Sequence, residues 1–177
     1  MKVVCPTKLL KEAIAIADRN TGKNQTLPIL QAVLFSTEKN TLSIRATNLE
    51  TAIELSIPCK IEDQGSVVVS AKVVSSFLSN ITDDEIIIQD KKENVFIKTK
   101  STETTIRGYS ADDFPLFPQI EHTHSITVPT GSLKEGLQVA SIAVSPSDMK
   151  PDLASVCVKI FKNTIKFAAT DSFRLSE

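Results

Sequence analysis

Two histidines separated by one residue, His122 and His124 in "QIEHTHSITV", form an H-x-H pair of the kind that can ligate a transition metal. No cysteine or carboxylate cluster stands near them in sequence to complete a ligand set, so the pair reads as solvated. Paired acids occur at residues 82–85, "TDDE", and 111–115, "ADDFP". Adjacent carboxylates in turns more often terminate helices or face water than hold a cation. The chain has neither G-x-x-x-x-G-K-[ST] nor G-x-G-x-x-G, and so no phosphate cradle. Nothing in it resembles a nucleophile and its base. The three cysteines, Cys5, Cys59 and Cys157, lie in apolar, strand-like runs, odd in number and far apart. They read as small buried hydrophobes in a reducing compartment, not as a disulfide or a metal site. These residues together point to a non-enzyme without cofactor or metal, acting by shape and contact.

A length of 177 residues suits one large domain or two small ones. Hydrophobic residues at 41% and charged residues at 23% are the balance of a globular protein. The net charge of −1 argues against a strongly basic nucleic-acid binder, although positive charge confined to one face remains compatible with it. No apolar run is long enough to span a bilayer. The first residues, "MKVVCPTKLLKEAIAIADR", carry a charge inside their apolar stretch and no cleavage signature. The expectation is a cytoplasmic protein with no membrane partner.

The elements follow from periodicity. Residues 2–5 read as a strand. Thr7 is placed as the N-cap of a helix to about residue 20, with Leu10, Ala13, Ile14 and Ala17 on one face. "ILQAVLFST", "TLSIRAT" and "TAIELSIPC" alternate with period two and read as strands, the first two joined as a hairpin through "TEKNT". The order then recurs. "SVVVS" is a strand, and Ser70 caps a helix whose Val73, Val74, Phe77, Leu78 and Ile81 face inward. "EIIIQD", "NVFIKTK" and "TTIRGYS" follow as three strands.

The chain also repeats itself on a longer scale. Residues 6–17, "PTKLLKEAIAIA", overlie residues 129–140, "PTGSLKEGLQVA", with six of twelve positions identical. Residues 28–54 overlie residues 151–177 without a gap, with nine of 27 identical. Both offsets are 123. A fixed register across two blocks marks a repeated structural unit, and this period is that of a whole domain. "SITVP" then predicts the first strand of the second copy, and a helix from Leu133 follows with a Ser132–Glu135 capping box. The expected domains are residues 1–123, complete, and 124–177, the first part of a second, so that the sequence reads as a fragment of a longer chain. The expected class is α+β, each unit of about 123 residues a duplicated β-α-β-β-β pattern with two helices on antiparallel sheets.

Five motifs now gather in order: "TLPIL" (26–30), "ATNLETAIE" (46–54), "DDFP" (112–115), "KPDLASV" (150–156) and "ATDSFRLSE" (169–177). Together they resemble the bacterial sliding-clamp family, the β subunit of the DNA polymerase III holoenzyme, over essentially the whole chain. The resemblance implies a DNA-clamp fold of three like domains per chain, the third absent here. Two chains close head-to-tail into a homodimeric ring around duplex DNA. The ring tethers the replicative polymerase α subunit, the clamp loader and other proteins bearing a clamp-binding motif. The contrasting expectation is a clamp-fold interaction module that does not encircle DNA.

The resemblance also assigns residues. Sequence-independent DNA contacts fall to Lys23 and Asn24, to Lys72 on the second helix, and to Ser147 and Lys150. Asn24 stands where relatives carry a basic residue, and Lys150 where they carry arginine. A partner-peptide pocket falls to Leu153, Thr170, Ser172, Phe173, Arg174 and Leu175, with Ser172 and Phe173 replacing a Gly-His pair common in the family. The dimer interface falls to the strand at residues 103–109, with Thr104 and Ile106.

Overall fold

Val3 and Cys5 point inward from β1 (Lys2–Pro6), and the chain passes directly into α1 (Thr7–Arg19). The expected Thr7 cap does not form. Pro6 is the extended residue before the helix (φ −63°, ψ 124°), and the Thr7 amide donates to the Asp84 carbonyl at 2.8 Å. The Thr7 hydroxyl is buried without a partner. A neighbouring backbone carbonyl thus satisfies one of the amides that a side-chain cap would otherwise take. The residues described are 1–22, 27–92, 94–117, 125–147 and 149–177 of a computed structural model.

A 3₁₀ turn, Pro28–Gln31, precedes β2 (Ala32–Glu38), so the strand starts later than its apolar letters suggest. Then come β3 (Thr41–Thr47), β4 (Ala52–Pro58) and a short β5 (Lys60–Asp63). The second half runs β6 (Ser66–Ser70), α2 (Ala71–Ser79), β7 (Glu85–Lys91), β8 (Asn94–Lys98) and β9 (Glu103–Tyr109). Ser70 precedes α2 without a side-chain capping bond. Val73, expected inward, is 47% exposed, while Val74 and Leu78 are buried. These elements belong to the first of two compact units, Met1–Gln119 and Ile120–Glu177.

The strands of the first unit form one antiparallel sheet in the order β4-β3-β2-β6-β9-β8-β7-β1-β5. Two features of this order matter. First, the halves exchange strands: β1 pairs with β7, and β6 pairs with β2. Each half completes its sheet with the leading strand of the other. Second, β4 and β5 stand at opposite ends of the order, yet only Cys59 separates them in sequence. Residues two apart lie within about 7 Å, so the sheet must curl until its ends meet. One core results. Leu10, Ile14, Phe35, Ile44, Val74, Leu78, Ile88 and Ile97 share it, each at most 1% exposed. The continuous run Val67–Val68–Val69 is buried throughout, because a second small cluster of Ala32, Val68 and Phe114 covers the other face of β2 and β6. Phe114 arrives there through the "DDFP" turn, in which Asp112 and Asp113 face water.

The second unit has α3 (Thr130–Ser141) and a small sheet of β10 (Cys157–Ile160), β11 (Ile165–Thr170) and β12 (Leu175–Ser176). α3 starts three residues before Leu133, directly after extended Pro129, so Ser132 and Glu135 lie inside the helix and form no capping box. Residues 125–129, expected as a strand, make no ladder. The counterparts of β7 and β5, which hold β1 in the first unit, would fall beyond Glu177 at the 123-residue offset. The same deficit shows in burial. Leu10, Ile14 and Phe35 are fully buried, whereas the matching Leu133, Leu137 and Val158 are 37%, 37% and 47% exposed. Cys157, expected inside, is exposed; it matches Leu34, which in the first unit is half-buried on the other face of the sheet against Ala32, Val68 and Phe114.

This asymmetry sets an expectation for stability. Ile14→Ala should cost about 2–5 kcal/mol in urea unfolding of the first unit. Leu137→Ala, its counterpart, should cost under about 1 kcal/mol because its side chain is already partly in water. Equal costs would contradict the burial pattern.

Candidate functional site: a repeated turn and an apolar groove

The phrase written twice in the sequence folds twice into the same turn. After β3, the Thr47 hydroxyl donates to the Thr51 carbonyl at 2.8 Å and accepts from the Leu49 amide at 3.0 Å. Asn48 Oδ1 accepts from the amides of Glu50 and Thr51 at 3.0 and 2.7 Å. After β11, the Thr170 hydroxyl donates to the Arg174 carbonyl at 2.7 Å and accepts from the Ser172 amide at 3.1 Å. Asp171 Oδ1 accepts from the amides of Phe173 and Arg174 at 3.0 and 2.9 Å. Each partner is shifted by the 123-residue offset. Even the strained position matches: Leu49 has φ +75° and Ser172 φ +79°. Few residues other than glycine accept that region readily, and here four side-chain bonds from Thr and Asx hold each turn.

Asp171 was not among the residues singled out from sequence, yet it organises the turn. Its other oxygen takes a 2.9 Å bond from Arg174 Nε, which fixes the guanidinium beside the loop. The amides of Phe173 and Arg174, with the guanidinium behind them, hold its carboxyl below the usual aspartate range. An Asx residue after Ala-Thr in both copies was the available signal.

Five residues of the expected peptide pocket share this turn. Thr170 ends β11, Leu175 begins β12 opposite it, and Ser172, Phe173 and Arg174 lie between. Phe173 is 97% exposed and Leu175 72%. Leu153 sits on a separate turn, its amide bonded to Lys150 O and its carbonyl accepting from the Ser145 amide. A cavity of about 720 Å³ in the second unit lies elsewhere, and none of the six lines it. It is the inner face of the half-module, lined by Val128, Leu133, Gly136, Ile160 and Phe167. Gly136 touches the Phe167 ring so closely that a Cβ there would lie 2.5 Å from Cδ2.

The expected DNA contacts are surface residues. Lys72 is exposed on α2, where Ser76 and Ser79 share the solvent side; Lys8 and Arg19 are exposed on α1. Ser147 and Lys150 are exposed on the loop after α3, and the Ser147 hydroxyl accepts weakly from the Met149 amide. None of these cations makes an ion pair among the described residues, whereas Lys2, Arg45 and Lys98 on strands are paired with Glu62, with Glu38 and Glu54, and with Glu103. Lys60 and Arg107 show that unpaired strand cations also exist, so the contrast is one of degree. Lys23, Asn24, His122 and His124 lie outside the described residues. Asp83, from the "TDDE" pair, is a loop tie: its carboxylate accepts from the Ser101 hydroxyl and amide, which lowers its pKa. No His, Cys, Asp and Glu cluster suited to a metal exists among the described residues, and no helix there is long and apolar enough to cross a membrane.

The strand expected at the dimer interface, β9, pairs with β8 from Glu103 to Arg107 and with β6 only at Gly108 and Tyr109. Residues 103–107 therefore leave one backbone edge open. Thr104 is half-buried; Ile106 is 8% exposed and packs into the first unit's own core.

Comparison with known proteins places this geometry. The family model for the DNA polymerase III beta subunit, N-terminal domain, matches residues 1–118. The beta sliding clamp of Synechocystis is 29% identical over 99% of this chain and 47% of its own length. The solved DNA polymerase III beta subunit of Thermotoga maritima superposes with a TM-score of 0.91 at 27% identity, over 98% of this chain and 48% of that one. The Bacillus subtilis sliding clamp structure superposes with a TM-score of 0.90 at 28% identity, over 99% and 48%. The chain thus spans about half the length of the relatives it matches.

The two turns make an internal comparison in pH. Asp171 has a depressed pKa in the folded state, so its contribution is present above the ordinary aspartate pKa, about 3.9, and is lost as pH falls through the lower folded value. The Phe173 and Arg174 amide resonances should titrate with a midpoint below about 3.9. Asn48 cannot titrate, so the Glu50 and Thr51 amides should report no ionisation of their own acceptor. A midpoint at or above the ordinary value for the second turn would contradict the assignment.

Proposed function

Since the chain belongs to the DNA polymerase III beta subunit family, we propose that it contributes to a DNA sliding clamp, a non-catalytic processivity factor. Residues 1–123 would be its first domain and residues 124–177 the opening of its second, with further copies of the module completing a ring around duplex DNA. The observation that carries the reading is the reuse of one module, down to the hydroxyl bonds of its turn, in a chain aligned almost end to end with clamp relatives. The setting that goes with this role is cytoplasmic.

A sliding ring must hold phosphates without reading bases. Weak, exchangeable Lys–phosphate contacts do this, and topology supplies the residence time that affinity does not. Lys72, Lys150 and Lys23, with Asn24 and Ser147, are the proposed contacts, and a net charge of −1 is no obstacle when the cations face the lumen. The open edge of β9 is the proposed seam with a second subunit. Backbone pairing there suits the burial of Ile106, which leaves its strand edge available while its side chain stays in the core; Thr104 lies on the same strand. The proposed docking site for the polymerase α subunit, the clamp loader and other motif-bearing partners is the turn at Thr170, Ser172, Phe173, Arg174 and Leu175, with Leu153 as a wall. Exposed Phe173 and Leu175 offer apolar contact, and Asp171 holds Arg174 in place.

Two measurements test this. The assembled protein, loaded on a nicked circular plasmid, should stay bound through gel filtration and be lost once the circle is cut. Equal retention on linear DNA would favour a clamp-fold module that does not encircle DNA. Arg174→Ala and Leu175→Ala should each weaken binding of a polymerase-derived clamp-binding peptide by about tenfold. Unchanged affinity would remove the docking assignment.

A further inference from the structure

Cys5 and Cys59 lie 54 residues apart in sequence; Cys5 is on β1, and Cys59 directly precedes β5, the end strand that pairs with β1. The β1–β5 ladder runs Val3↔Ile61 and Val4↔Lys60. One more step along that antiparallel register sets Cys5 opposite Cys59. The alternation agrees: Val3 and Cys5 both face the core, and Ile61 and Cys59 both pack against it. Directly opposed residues of antiparallel strands have Cα atoms about 4.5–5.5 Å apart, inside the 4.4–6.8 Å window of disulfides. Burial pushes the Cys5 thiol up to about 12, and Cys59 is near enough to add to that rise. Cys59 is the single residue between β4 and β5, so a bond there would fasten the point where the curled sheet meets itself.

We propose that Cys5 and Cys59 are a cross-strand pair that oxidises to an intramolecular disulfide, with a low-molecular-weight disulfide of the glutathione class as oxidant. Half-buried Cys59 loses its proton and attacks the small disulfide, releasing one thiolate that takes up the proton. Cys5 then loses its proton and attacks the Cys59 sulfur, and the second small thiol leaves. Two protein thiols give up two electrons and two protons, and one small disulfide becomes two thiols. Exposed Cys157 has no such neighbour: no second cysteine lies near it in its own unit. The sequence reading of all three as simple buried hydrophobes therefore separates into a cross-strand pair and a solitary surface thiol.

The test uses the 177-residue chain carrying Cys157→Ser, unfolded and refolded in a glutathione and glutathione-disulfide buffer so that burial cannot block exchange. Alkylation and peptide mass mapping should show both thiols lost together, a linked Cys5–Cys59 peptide and no glutathione adduct. The oxidised protein should melt roughly 5–10 °C above its reduced form. Adding Cys59→Ser should leave Cys5 alkylatable after unfolding and abolish the shift. Two free thiols at every buffer ratio, or glutathione held stably on Cys59 alone, would overturn the proposal.

Discussion

β1 pairs with β7 and β6 with β2, so neither half of the first unit has a complete sheet without the other. This exchange is what lets two short helices and nine strands share one core. Leu10 and Ile14 on α1 reach zero exposure because Val74 and Leu78 on α2, with the strands of both halves, enclose them. The second unit shows the converse. It carries the same leading half, with the same turn, and its apolar side chains stay partly in water because the enclosing elements are not among residues 125–177. The difference between the units lies in packing, since the local hydrogen bonds of α3, β10 and β11 are formed as in their counterparts.

The turn is robust for a different reason. Its geometry is held within five residues, by a Thr hydroxyl that both donates and accepts and by an Asx oxygen that takes two amides. It therefore forms whether or not the core above it is complete. That independence lets the loop vary at its tip, from Leu49 to Ser172 and from Glu50 to exposed Phe173, while the Thr-Asx frame holds the backbone. One module can in this way be reused as scaffold in one place and as a contact surface in another.

Local pattern carried much of the fold, and non-local pairing decided the rest. β3 coincides with "TLSIRAT" because it alternates cleanly and a tight hairpin bounds it. β5, "KIED", has one apolar residue and becomes a strand only through β1. Residues 125–129 have the opposite history: their letters suit a strand, but they pair with no strand among the described residues. The segment at residues 29–31 is apolar yet forms a 3₁₀ turn, since Pro28 opens it and Leu30 is buried by other means. The expected caps at Thr7 and Ser132 are displaced because α1 and α3 follow an extended proline with no turn between, whereas Ser70 stands at the N-cap position of α2 but makes no side-chain bond. At the site, the Thr170–Leu175 stretch was legible as a repeated phrase, but Asp171's role needed the hydrogen bonds to be seen.

The dependence of each half-module on its complement can be measured by native-state hydrogen exchange on the 177-residue chain. Amides of α1 and β3 should exchange only through global opening of the first unit, while those of α3 and β11 should exchange at least about a thousandfold faster, through local opening. Equal protection of the two copies would contradict the claim that strand exchange between halves is what makes the module stable.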